Sequence, residues 1–206
     1  YAIGIPMLES VKLLKSGGME REAEELLRYY EIHGEMLIKN GLCYPPHEVK
    51  YEQSIVAPAV NYLFQLYELT GKILYLEEGK KQLAVLVLFN GHQPDFHMYE
   101  NAVRHWDGYW FGKYKNLGDT FPHYWSSLSG VAFREYEKIT GERSYGVKAE
   151  NSLRGVLSMI NSDGSASCAY VYPFMVNNVR CQYADPWAND QDWALYYYLK
   201  EGKNYD

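Results

Sequence analysis

LFQLYELTGKILYLEEGKKQL, residues 63–83, and FREYEKITGERSYGVKAENSL, residues 133–153, are near copies at an offset of 70. The offset pairs Thr70-Gly71 with Thr140-Gly141, Tyr75 with Tyr145, Leu63 with Phe133, Leu69 with Ile139 and Leu83 with Leu153. Self-similarity at a fixed period marks a repeated supersecondary unit. Apolar residues recur at helical spacing on both sides of the Thr-Gly, and glycine supplies the positive φ that ends one helix before the next begins. The unit therefore reads as an antiparallel helical hairpin with a tight link. The tyrosine after the link is expected to pack into its corner.

Working outward, an earlier and looser hairpin runs through Ile5, Leu8, Val11 and Leu14, breaks at Ser16-Gly17-Gly18, and resumes at Ala23, Leu26, Leu27, Tyr30, Met36 and Leu37. A last apolar run, residues 193–199, opens a fourth unit or closes the array. The reading is an all-α domain over residues 1–206, with hairpins at about 3–39, 54–88 and 122–160 and a closing helix at about 190–200.

A chain of 206 residues with 47% apolar content can bury a substantial core. Its net charge of −6, with no basic run interleaved with aromatics, excludes a nucleic-acid surface. No window approaches the roughly 18 consecutive apolar residues of a membrane span. Cys43, Cys168 and Cys181 are odd in number and lack metal-ligand spacing. Sparse thiols favour a reducing compartment, cytoplasmic rather than extracellular or periplasmic, although Cys168 and Cys181 remain close enough in sequence to bridge. The first helix starts apolar, in YAIGIPMLESVKLL, with no polar cap, and an open repeat array needs its end faces covered. The expectation is a longer protein, or a second copy of the chain against that end.

If the helices ending at Thr70 and Thr140 are equivalent, the segments leading into them and into the closing helix share one rim. Those segments, residues 41–53, 90–121 and 161–191, are long and aromatic-rich, and all five tryptophans lie in or just beyond the last two. Tyr and Trp offer a flat apolar body with a hydrogen-bonding tip, which suits the C–H face of a sugar ring. Wedging long loops onto helices is the structural alternative. Asp107, among Trp106, Tyr109 and Trp110, is desolvated by aromatic neighbours in a way that raises a carboxyl's pKa toward that of a general acid. Pairing with Arg104 or Lys113 is its structural alternative.

Glu52 and Asp190 bring carboxylates from two other rim segments, so a proton donor and a water-activating base can face one glycosidic bond. Helix capping is the alternative for both. Asp119 and Thr120 read equally as caps of a helix starting near Pro122. His105 and His123 are candidate sugar or carboxylate contacts, and Arg104, Lys113 and Arg180 are the rim cations able to meet a carboxylate. His92, His97 and Asp95, like Cys43 and His47, match no metal-site spacing, and no metal or cofactor is expected. Neither a nucleophile elbow nor a phosphate-binding glycine loop occurs.

The hairpin spacing, the YELTG and YEKITG turns and the aromatic-acidic segments before alternate helices resemble the six-hairpin glycosidases, among them the unsaturated glucuronyl and rhamnogalacturonyl hydrolases. The resemblance implies part of an (α/α)6 toroid, of which three hairpins and a fraction make about the C-terminal half. It also implies a glycoside hydrolase acting on oligosaccharides, including uronic-acid-containing ones. The family's key aspartate maps onto no position of this chain, and it is the residues themselves that offer Asp107 as the proton donor and Asp190 or Glu52 as the base or water positioner. On that reading Arg104, His105, Asp119, His123, Tyr124 and Arg180 bind substrate, and Trp106, Trp110, Trp125 and Trp187 are stacking platforms. A toroidal polysaccharide lyase using Tyr124 and His123, or a non-catalytic glycan- or protein-binding repeat module, are the alternatives.

Overall fold

A computed structural model of the chain describes residues 4–41, 53–90, 119–123, 125–166, 169–172, 175–176, 178–180 and 191–201. Among them are α1 (Gly4–Ser16), α2 (Glu20–Asn40), α3 (Gln53–Thr70), α4 (Ile73–Val87), α5 (Ser126–Thr140), α6 (Arg143–Gly155) and α7 (Gln191–Glu201). A 3-10 turn, Val156–Met159, prolongs α6.

Each hairpin link is built by its own sequence. Thr70 and Thr140 donate their hydroxyls to the carbonyls of Leu66 and Tyr136, at 2.6 and 2.8 Å. The same hydroxyls accept the amides of Lys72 and Glu142, each at 3.2 Å. Gly71 and Gly141 take φ of 69° and 74°, a region costly for any other common residue. The earlier link uses Gly18 at φ 75°, with Gly18 N–H to the Lys15 carbonyl and Met19 N–H to the Leu14 carbonyl, the paired bonds of a Schellman end.

The helices form two layers. α1, α3, α5 and α7 pack side by side in that order, and α2, α4 and α6 lie outside against their own hairpin partners. Burial follows the layers: residues 56–66 of α3 and 126–135 of α5 are buried without interruption. The outer helix α4 buries only the stripe Tyr75, Leu76, Gly79, Leu83 and Leu86. Glycine allows close crossing, as at Gly79 and Gly34. A Cβ on Gly79 would stand 2.5 Å from the Phe64 ring, and one on Gly34 would stand 2.5 Å from Leu66 Cδ1. Burial of large side chains such as Phe64, Phe133 and Leu66 contributes about 1.5–3 kcal/mol each.

Ion pairs tie the inner row together. Lys12 of α1 meets Glu68 of α3 at 2.7 Å, and Lys138 of α5 bridges Glu135 and Glu201 of α7 at 3.1 and 3.0 Å. Lys200 of α7 pairs with Glu9 of α1, so the row curves back until its last helix reaches its first.

Short strands interrupt what the sequence suggests is loop and helix. β1 (Asp119–His123) pairs antiparallel with β2 (Ala169–Tyr172), and β3 (Met175–Val176) with β4 (Val179–Arg180). α5 therefore begins at Ser126, not near Pro122, and Asp119 and Thr120 are strand residues, not helix caps; the cap position is Trp125. The β1–β2 register shifts between Thr120 and His123, around Phe121-Pro122. Proline lacks an N–H for a continuous ladder, and an irregularity is where a strand can hold one.

Candidate functional site

The Thr-Gly links sit at one end of their hairpins, so the first residues of α3 and α5 and the last of α4 and α6 lie at the other. Its floor is held by buried amides. Gln53, the first residue of α3, is 1% exposed and donates Nε2 to Ser129 Oγ at 2.6 Å and to the Trp125 carbonyl. Asn90, just beyond α4, donates Nδ2 to Ser152 Oγ of α6 at 3.1 Å. Hydrogen bonds thus staple α3 to α5, and the residue after α4 to α6, at this end of the helices.

The β1–β2 ladder joins two of the long segments directly. It sets Asp119 opposite Tyr172, Thr120 opposite Val171 and His123 opposite Ala169, and rests on the 3-10 turn after α6. β3–β4 follows β2 closely and sets Arg180 opposite Met175. The structure therefore brings the backbone carrying Asp119 and His123 together with the segment that leads to Arg180. Trp125 is half-buried and packs against both the main core and a small cluster of Val156, Met159 and Ala194. Trp125 thus touches both the main core and the packing between α6 and α7.

Glu52, Arg104, His105, Trp106, Asp107, Trp110, Tyr124, Trp187 and Asp190 lie outside the described residues. Among the described residues no cluster of His, Cys, Asp or Glu is arranged to hold a metal ion, and no helix is long and apolar enough to cross a membrane. Gln53 and Asn90 are contributors that the sequence reading missed. Neither carries a local signal, since Gln53 opens α3 and Asn90 lies just beyond α4, and their partners come only from elements distant in sequence.

Known proteins offer a comparison for the chain. No family model matches it, and neither does any curated protein. A solved structure described as polysaccharide lyase BACCELL_00875 does, at a TM-score of 0.80 and 50% sequence identity over 96% of this chain. The chain is similar to part of a polysaccharide lyase. It spans 30% of that lyase's length, and within that stretch the two share one fold, which is part of an α/α toroid.

Proposed function

We propose that this chain is the helical portion of a polysaccharide-processing enzyme and that its chemistry is β-elimination beside a uronate carboxylate. The observation that carries the reading is the 50% identity to a polysaccharide lyase across 96% of the chain. In the reaction a base takes the proton on the carbon bearing the carboxylate. The electron pair forms the C4=C5 double bond as the C4–O bond breaks, and an acid protonates the leaving oxygen. A cation on the carboxylate lowers the barrier by stabilising the negative charge that develops there.

His123 and the adjacent Tyr124 are the proposed base and acid, with Arg180 or Arg104 on the carboxylate. The ladder that pairs the His123 backbone with β2, whose segment continues to Arg180, supports this assignment. Glycoside hydrolysis by Asp107 with Asp190 or Glu52 is the second reading, favoured by carboxylates on three separate rim segments.

The test is incubation of the purified protein with uronate-containing polysaccharides, following reducing ends and ultraviolet absorbance together. Elimination yields both signals, and His123→Ala or Arg180→Ala is expected to lower kcat by about a hundredfold or more. Reducing ends with no gain in absorbance would establish hydrolysis instead. Glycan binding without either product would leave a binding module.

A further inference from the structure

The offset of 70 that aligns the second and third hairpins sets Val56 of α3 against Ser126, the first residue of α5. α3 nevertheless begins at Gln53, three residues earlier. It therefore carries nearly one extra turn, about 4.5 Å, beyond the matching start of α5. Gln53 stands at the end of that turn and reaches across to α5. It is 1% exposed, and its Nε2 donates to Ser129 Oγ at 2.6 Å and to the Trp125 carbonyl. The same carbonyl accepts the Leu128 amide at 2.9 Å, so one of its lone pairs is held by its own helix and the other by α3.

Trp125 is thus fixed by two hydrogen bonds at its carbonyl and by a half-buried side chain packed on two clusters. Two residues earlier, the backbone of His123 is held opposite Ala169 in the β1–β2 ladder. Only two residues separate β1 from α5, so the pair assigned above as base and acid, His123 and Tyr124, falls in the chain between two anchors. An apolar side chain would fill the Gln53 site without burying an amide. What the amide adds is a directed hold on the chain just before Ser126.

We propose that Gln53 is a positioning residue for the elimination, acting through the Trp125 carbonyl to fix where the chain carrying His123 and Tyr124 enters α5. The inference rests on the reaction proposed above. A base and an acid serve a proton transfer only within hydrogen-bond reach of it, and a displacement of about 1 Å at such a pair costs up to about a hundredfold in rate.

The test is the steady-state kinetics of Gln53→Met and Ser129→Ala in the full-length natural protein on a uronate polysaccharide, read by ultraviolet absorbance well below the unfolding midpoint of each variant. Gln53→Met, close to glutamine in length, is expected to lower kcat by about ten- to a hundredfold while KM stays within about twofold. Ser129→Ala removes one of the two acceptors and leaves the Trp125 carbonyl bound, so its kcat is expected to stay within about twofold of wild type. Should Gln53→Met not fold, Gln53→Asn, which keeps the amide one methylene shorter, is the variant on which the same split is read. Elimination by wild type with an unchanged kcat in a folded Gln53 variant overturns this inference alone. An equal loss of kcat in Ser129→Ala also overturns it, since that marks both effects as packing. Reducing ends without absorbance from wild type reject the elimination reading first, and the inference falls with it.

Discussion

Tyr75 stands in the corner of the second hairpin, 1% exposed, with its hydroxyl 3.4 Å from Glu31. Burial and the nearby carboxylates of Glu31 and Glu35 push its pKa from 10.0 to about 12. Between those values the unfolded chain gives up a proton that the folded protein keeps, so stability present below pH 10 is lost as pH rises. Tyr75→Phe is expected to flatten that alkaline fall, which denaturant titrations at pH 9 and about 11 would detect as a shrinking difference from wild type. Deeper in α3, Gln65 Nε2 donates to Asn61 Oδ1 at 2.6 Å, while Asn61 Nδ2 and Gln65 Oε1 have no partner among the described residues. The third hairpin places Val131 at the position of Asn61. Asn61→Leu alone should cost about 1–3 kcal/mol by stranding Gln65, and adding Gln65→Met should recover most of that loss. A chemical-denaturation double-mutant cycle checks it, and additive losses would sink the idea. The sequence showed neither amide as special, because composition along a helix does not say which polar side chain ends up enclosed.

At the scale of elements, the Thr-Gly links are the part most legible in advance. Their threonines make the same hydrogen bonds in both copies because those bonds are local and need nothing from the rest of the fold. The threonine hydroxyl's share in ending the helix went unread, since the glycine alone accounts for the turn. The start of α5 was misplaced because Pro122 suits the first turn of a helix and an irregular strand equally. What decided it was β2, some fifty residues later in the chain, pairing with β1. Gln53 shows the same dependence on distant partners: it looks like an ordinary first-turn residue until α5 is packed beside it. Gln53→Leu should cost about 1–3 kcal/mol by leaving Ser129 and the Trp125 carbonyl without their donor. Amide exchange at the start of α5 should rise with it. Protection unchanged there would show that the staple does not hold the rim.

For the whole molecule, the inner row is held by carboxylates that share few cations. Glu135 and Glu201 are 8% and 6% exposed and both lean on Lys138. Burial pushes the Glu135 carboxyl up, partly offset by Lys138, and Glu68 and Glu201 push it further up. A raised carboxyl pKa means that the ionised form is penalised in the folded state, and the penalty is relieved as pH falls through the folded value. Lys138→Met, which leaves both carboxylates without that cation, should therefore destabilise by about 1–3 kcal/mol at neutral pH and by less at pH 5. Urea titrations at the two pH values would show it, and a loss that grows on acidification would contradict it. The resemblance to six-hairpin glycosidases identified the toroidal scaffold, while the similar solved structure carries the name of a lyase, because hairpin architecture is common to different chemistries. The sequence by itself determined the helical hairpins and their links, since each depends on residues within a turn or two of one another. Only the tertiary structure decided that β1 pairs with β2, that buried amides staple the floor and that the row curves until Lys200 reaches Glu9. Each of these joins residues far apart in the chain, and local periodicity carries no record of which distant partner fills a given space.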